Sequence, residues 1–393
     1  MIELLLYVLA GCFLGVATGL TPGLHVNTLA FVLLLLFGNA PTNIVALIVA
    51  MAITHSFFDF LPSIVLGAPD SESYLSILPG HRYLLRGQAY KALMLTIIGG
   101  LLAGFCGICA MPIFLFVLPK IEWLLPKLVP ALLSAVLIVV ILFSKRRRKT
   151  FTAMFLSAAL GLIVLKRLSI QNGIMAIVIG LFSLSTLVLS LMRKPKVRKQ
   201  ELAMQGLNLA DSMKGSMLAM LGSATIAIMP GIGPSQAAFL LRKISGKLSS
   251  DCYLTILGGI NTCNIIFSLF VLYAIGKTRT GIALAIKNLA VVDSNMLVLF
   301  AGSALIAIAF SVMSLQSLGR WILRNIHRFS YMKLNATIFA LLLAFLMMFC
   351  GTLALFVSLI ACFIGCYAAL NRVARSSCMA FLIVPTILIY LGL

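Results

Sequence analysis

Acidic residues are scarce in this chain. It has 393 residues but only 9 aspartates and glutamates, and charged residues of both signs make up 10% of it. A soluble globular domain carries about 25% charged residues, because its surface has to be solvated. With 62% hydrophobic residues, this chain cannot cover a core with a water-compatible surface. The composition therefore predicts an integral membrane protein.

The chain also lacks the alternation of hydrophobic and polar residues that membrane β-barrel strands show. Its apolar segments are continuous, and a helix needs about 20 apolar residues to cross roughly 30 Å of hydrocarbon. An open strand would leave backbone groups without hydrogen bonds in lipid, whereas a helix satisfies its own. We therefore expect an all-α integral membrane protein with about 10–12 transmembrane helices.

Motifs for catalysis and for a resident metal are missing as well. No H-E-x-x-H, no G-x-S-x-G and no carboxylate pair occurs, so an intramembrane enzyme is the least favoured function. Cys106 and Cys109 form one C-x-x-C, but a structural zinc site needs four ligands. We expect no metal and no cofactor apart from a coupling Na⁺ or H⁺.

Positive charge, in contrast, is abundant. The chain has 30 lysines and arginines and a formal net charge of +21. They cluster in short loops at 145–149, 193–199 and 320–333, which is typical of orientation in a bilayer and places these loops in the cytoplasm. This pattern predicts a multi-pass protein of the cell (plasma or inner) membrane, with lipid and not nucleic acid as its surroundings. The linker 193–212 would divide the chain into membrane repeats 1–192 and 213–393.

Two Pro-Gly dipeptides interrupt apolar segments at corresponding positions of these halves. Pro22-Gly23 and Pro230-Gly231 are 208 residues apart, and the same offset carries His55-Ser56 onto Cys263-Asn264. The limbs beside each break have about 10–17 apolar residues, which is short for a full span. The loop charges place the two hairpins on opposite faces of the membrane. We therefore predict two inverted repeats, each with a broken re-entrant Pro-Gly hairpin.

Such a break favours anion binding. It leaves N–H groups at the start of the following limb, where the helix dipole is positive. Two hairpin tips that face each other could hold a carboxylate or a phosphate, aided by polar residues of the tips and of the span after the second hairpin. The candidate substrate-binding residues are Gly23, His25, Asn27, Thr28, Gly231, Gly233, Ser235, Gln236, Asn261 and Asn264.

Three polar residues in the third apolar segment are candidates for coupling. His55, Ser56 and Asp59 lie within it, with His55 and Asp59 at i and i+4 on one helix face. A carboxylate exposed to lipid would cost about 2.5–3.5 kcal/mol, so Asp59 should face a cavity or a partner. The group could relay a proton or hold Na⁺. It could also be a structural polar pair that fixes helix packing.

The order of motifs resembles the large membrane subunit of tripartite tricarboxylate transporters, the TctA family, in its short form. The similarity covers about 11–281 and rests on a first hairpin, a loop and a second hairpin: Gly15, Gly19, Pro22, Gly23 and Leu24; Pro79, Gly80, Gly87, Ala89, Ala92 and Leu93; Gly222, Pro230, Gly231 and Gly233. The resemblance implies a cation-coupled carboxylate importer served by a small membrane subunit and an extracytoplasmic binding protein. A homodimer is a further expectation.

Two functions therefore compete. The first is a secondary active transporter, a permease that moves a small organic anion, in particular a carboxylate, together with H⁺ or Na⁺. The alternative is a polyprenyl-phosphate or lipid-phosphate translocase of the same inverted-repeat architecture. The alternative needs the same anion-binding hairpins and, in addition, a lateral opening for a prenyl chain.

Overall fold

The regular elements of this chain are helices throughout the part that the structure describes. The computed structural model describes residues 2–21, 26–37, 42–66, 77–168, 173–193, 198–203, 206–228, 233–246, 248–328 and 330–392. No strand occurs in these ranges. The predicted all-α membrane class is confirmed.

Within the described ranges, the first half has eleven α-helices in chain order. They are α1 (Ile2–Leu20), α2 (Val26–Phe37), α3 (Thr42–Phe58), α4 (Phe60–Leu66), α5 (Ile77–Leu85), α6 (Ala89–Cys109), α7 (Met111–Ile121), α8 (Leu125–Leu142), α9 (Arg147–Leu162), α10 (Gly173–Val178) and α11 (Ser185–Arg193). Two π-helical segments, Ile163–Arg167 and Ile179–Leu184, follow α9 and α10.

The described part of the second half has seven α-helices. They are α12 (Leu209–Ile228), α13 (Pro234–Ile244), α14 (Ser250–Ile275), α15 (Gly281–Leu289), α16 (Ser294–Asn325), α17 (Tyr331–Leu370) and α18 (Ala380–Tyr390).

Seven helical spans within the described ranges are long and apolar enough to cross a membrane. A further pair, Met111–Leu124 with Lys127–Leu142, meets the same criterion together but is bent by 88°. Three shorter apolar helices, Gly173–Leu189, Asn335–Met348 and Ser377–Tyr390, accompany them. If the bent pair and the three short helices also cross, the total falls within the predicted range of ten to twelve.

The first limbs of the two predicted hairpins are longer than we expected. The helices α1 and α12 have 19 and 20 residues, so the prediction of 10–17 residues is wrong for them. The reason is that helix continues through polar residues such as Asp211 and Lys214, which the apolar run did not include. The second limbs α2 and α13 have only 12 and 11 residues, about 18 Å and 16 Å of helix.

Two helical spans form the centre of the fold. The span made by α3 and α4 and the span α14 are the most buried of the candidate membrane helices. The helix α1 packs on α3, and α12 packs on α14, while α6 lies against α14 and α16 against α3. Glycines allow these close contacts: a Cβ on Gly11 would lie 2.2 Å from the Leu47 carbonyl oxygen. Small residues are what lets membrane helices approach this closely.

The predicted linker is partly folded onto the first half. The Gln200 side chain is 6% exposed. It accepts a hydrogen bond from the Ala89 backbone N–H at 3.0 Å and donates one to the Leu84 carbonyl at 3.1 Å. Gln200 thus caps the start of α6 and the end of α5 together, so the described part of this linker is a docked segment.

A glycine interrupts α17, the longest of the described helices. Gly351 in α17 has φ 81° and ψ 173°, a backbone region that essentially only glycine adopts. Gly351→Ala should therefore destabilise the protein by about 1–3 kcal/mol, measured as a lower melting temperature in detergent.

The matched control is Gly302→Ala in α16. A Cβ at either position would meet nothing within 4 Å, but Gly302 is helical. Alanine should be neutral there, or stabilising by up to about 1 kcal/mol. Equal melting temperatures for the two variants would contradict the conformational argument.

Candidate functional site

The polar candidates of the two central helices meet where these helices cross. His55 and Asp59 are 5% and 3% exposed, and Asn261 on α14 is 1% exposed. Ser56, Thr262 and Asn264 are buried as well. Most of the buried side chains of α3 and α14 are apolar, so this crossing is a polar centre inside a hydrophobic bundle.

Asp59 lies at the junction of α3 and α4. Its backbone N–H still donates to the His55 carbonyl at 3.0 Å. Pro62 has no N–H, so it cannot donate to the carbonyl of Phe58 one turn earlier, and the helix is weakened beside Asp59. The Asn261 amide nitrogen donates to Asp59 Oδ2 at 3.0 Å and to the Ser56 carbonyl at 3.1 Å. One asparagine of the second half therefore holds both the carboxylate and the backbone of the first.

Ser56 makes a second bond between the halves. Its hydroxyl donates to the Ile53 carbonyl at 2.7 Å, and its Oγ lies 3.0 Å from Thr262 Oγ1. Because a serine hydroxyl has only one proton, Thr262 is the donor in this second contact.

His55 is held by α1. Its Nδ1 lies 3.0 Å from Thr18 Oγ1 on α1, and Thr18 donates its own proton to the Gly15 carbonyl at 3.2 Å. This hydrogen bond fixes the orientation of the His55 ring against α1. His55 bonds to α1 and Asp59 bonds to α14, although the two residues share one helix face.

This arrangement can hold a proton or a small cation. An ionised carboxylate inside a bilayer is costly unless it is paired. Asn261 contributes its amide nitrogen to Asp59, and its own buried Oδ1 has no hydrogen-bond partner within the described part of the chain. Such oxygens are what a hard cation prefers. No group of three His, Cys, Asp or Glu side chains suited to a metal occurs among the described residues.

The hairpin candidates are only partly visible. Gly23, His25 and Gly231 lie outside the described residues. Thr28, Ser235 and Gln236 lie in the first turns of α2 and α13, but only their backbone is described. Gly233 immediately precedes α13, and its carbonyl accepts from the Ala237 N–H at 3.2 Å. The predicted meeting of the two tips therefore stays a prediction.

Asn27, at the start of the second limb of the first hairpin, contacts the start of α15. A Cβ on Gly281 would lie 2.7 Å from Asn27 Cγ, so the start of α2 touches the start of α15. Thr280 caps α15, since its Oγ1 accepts from the Ala283 N–H at 3.1 Å. The sequence does not indicate this contact, because 282–315 is one long apolar segment, whereas the structure divides it between α15 and α16.

Ion pairs with the first half hold both ends of α14. At its start, Asp251 lies 2.7 Å from the Lys91 ammonium and accepts a hydrogen bond from the Tyr83 hydroxyl. Burial and this carboxylate raise the pKa of Tyr83, so its phenol stays a donor. Just beyond the end of α14, Lys277 Nζ lies 2.6 Å from Glu122 Oε1.

Comparison with known proteins decides the family. The sequence model described as "Tripartite tricarboxylate transporter TctA family" matches residues 5–380, well beyond the range 11–281 that carries the resemblance. The chain belongs to the TctA family. An uncharacterized protein of Methanocaldococcus jannaschii is 30% identical over 98% of this chain and 99% of its own length. No solved structure matches the chain.

Membership in the TctA family makes this chain a multi-pass protein of the cell membrane and a component of a transporter. The family belongs to a tripartite system, so partner subunits and a binding protein are implied. The family is one of transporters and not of enzymes.

Proposed function

We propose that the chain is a secondary active transporter for a small organic anion, in particular a carboxylate, driven by H⁺ or Na⁺. The polar centre at the crossing of the central helices carries this proposal. Asp59 and its partner Asn261 lie on different halves of the chain, 202 residues apart. A proton or cation bound there would change a contact between the halves, which is what coupling requires.

The helix bounds support the repeat on which this mechanism depends. Shifted by 208, the ranges 2–20, 26–37 and 42–66 of the first half become 210–228, 234–245 and 250–274. The corresponding helices of the second half span 209–228, 234–244 and 250–275. The packing of α1 on α3 is repeated by that of α12 on α14. The opposite orientation of the two repeats rests on the loop charges.

We further propose that substrate binds between the two Pro-Gly tips, beside this centre. Asn27 is in the first turn of α2, and Gly233 precedes α13. Backbone donors at such helix starts favour an anion. A small membrane subunit and an extracytoplasmic binding protein would deliver the substrate.

One observation favours the alternative, a lipid-phosphate translocase. A mainly apolar groove of about 540 Å³ lies between α1 and α16, lined by residues that include Leu5, Val298 and Ser303. A groove of this kind could receive a prenyl chain from the bilayer.

Reconstitution separates the two functions. The full chain, with the subunits that co-purify with it, is placed in liposomes under an imposed Na⁺ or pH gradient, and uptake of radiolabelled acetate, succinate and citrate is measured. We expect uptake of at least one carboxylate that stops when an ionophore removes the gradient. The importer proposal fails if no carboxylate moves under either gradient while a fluorescent polyprenyl phosphate changes leaflet.

A further inference from the structure

We infer that Arg279 supplies the positive charge that binds the substrate carboxylate beside the first hairpin. This inference rests on the proposed function and names a residue that the motifs did not suggest. Arg279 lies in the short loop between α14 and α15, directly before the cap residue Thr280.

The loop returns along α14 instead of extending away from it. Gly276 ends α14 with a left-handed φ of 64°. Thr280 Oγ1 then lies 3.2 Å from Ser268 Oγ, seven positions before the end of α14. At 1.5 Å per residue, this return is about 10 Å deep. The backbone of Arg279 therefore lies alongside the last two turns of α14, on the way from its end to Ser268.

The same return brings the start of α15 against the substrate candidate Asn27. The contact at Gly281 is so close that a Cβ there would lie 3.0 Å from Asn27 Oδ1. The N-terminus of α15 has the positive end of its dipole at this point. Arg279 adds a full charge two residues before Gly281 in the chain, so its backbone lies beside this helix start and Asn27.

Arg279 differs from the other cations of this region in the state of one nitrogen, its Nε, among the described residues. Lys277 pairs with Glu122, and Lys287 donates to the Gly276 carbonyl at 2.8 Å. The Nε of Arg279 is shielded from solvent and, as far as the described ranges extend, makes no hydrogen bond. A shielded guanidinium nitrogen without a partner is costly, so a ligand that pairs with it gains binding energy.

The few acids of the chain cannot supply that partner within the described ranges. Five of them are engaged elsewhere: Asp59 with Asn261, Glu122 with Lys277, Asp211 with Ser249, Asp251 with Lys91, and Asp293 with the Met296 N–H. Glu3 and Glu201 are exposed, and Asp70 and Glu72 lie outside the described residues. Among the described residues no acid is left for Arg279, and a ligand carboxylate would supply the matching charge. A planar carboxylate matches the two parallel N–H donors of a guanidinium.

Calorimetry on the purified full chain in detergent tests this assignment, with citrate, succinate and inorganic phosphate as probes. The wild-type chain should bind at least one carboxylate. Arg279→Gln should weaken that binding about tenfold or more, the loss of one charge-assisted hydrogen bond. Arg279→Lys keeps the charge but loses the planar pair of donors, so its carboxylate affinity should lie between those of the wild type and Arg279→Gln. The matched control is Lys277→Gln, which removes the same charge from the same loop and should bind within about twofold of wild type.

The outcomes are distinguishable. A wild-type chain that binds no carboxylate, or that binds phosphate alone, overturns the carboxylate proposal and this assignment with it. Wild-type carboxylate binding that is unchanged in a folded Arg279→Gln overturns this assignment alone, as does an equal loss in Lys277→Gln. Circular dichroism and size exclusion report folding. If Arg279→Gln does not fold, Arg279→Lys decides, and unchanged affinity in that variant overturns the assignment.

Discussion

Replacing Asp59 with asparagine is expected to reduce gradient-driven carboxylate uptake by about 100-fold, equivalent to roughly 2.7 kcal/mol. Asparagine has nearly the shape of aspartate and can still accept from the Asn261 amide, so packing at the crossing is kept. It cannot take up or release a proton, and it brings no negative charge to a cation. Uptake should therefore lose its dependence on the gradient, which initial rates in proteoliposomes measure.

Asp293→Asn is the matched control for this variant. Asp293 is exposed and caps α16 by accepting from the Met296 N–H at 2.9 Å, and asparagine is as good a cap. The control should keep wild-type uptake. If Asp59→Asn also keeps wild-type uptake with the same ion dependence, Asp59 is a packing residue and the coupling proposal is wrong.

Placing a methyl group between α6 and α14 is expected to prevent stable folding. A Cβ on Gly99 would lie 2.1 Å from the Thr255 carbonyl oxygen, and one on Gly258 would lie 2.2 Å from the Thr96 carbonyl oxygen. Both obstacles are backbone atoms, so the helices themselves have to separate. Gly99→Ala and Gly258→Ala should each cost about 3 kcal/mol, the upper end of the usual range for overpacking, and lower the amount of monodisperse protein in size exclusion.

Gly302→Ala serves again as the tolerated exchange, since it adds the same methyl group to a helix with open space around it. Melting temperatures of Gly99→Ala and Gly258→Ala equal to that of Gly302→Ala would show that α6 and α14 are not in close contact.

Much of the candidate site was predictable as a set of residues but not as an arrangement. Asp59 and Asn261 each stand out as polar residues within an apolar run, so both were candidates. Their contact was not predictable, because 202 positions separate them and nothing in either run indicates the partner. Thr18, which holds His55, was missed for a related reason: a threonine in a membrane helix can satisfy its hydroxyl on its own backbone, as Thr18 does at Gly15.

The position of Arg279 could not be predicted from loop charges. In the sequence it is one of several cations after a long apolar run, and such residues usually mark the end of a span. Only the bond between Thr280 and Ser268 reveals that this loop turns back beside α14.

By itself, the sequence determined that this protein is a helical membrane protein, because run length and composition act locally: each helix satisfies its own backbone in lipid. It also determined the family and the fixed offset between the halves. The tertiary structure alone decided which polar groups meet. That outcome depends on how closely helices approach, and the approach is set by glycines on one helix facing carbonyls on another, far away in the chain.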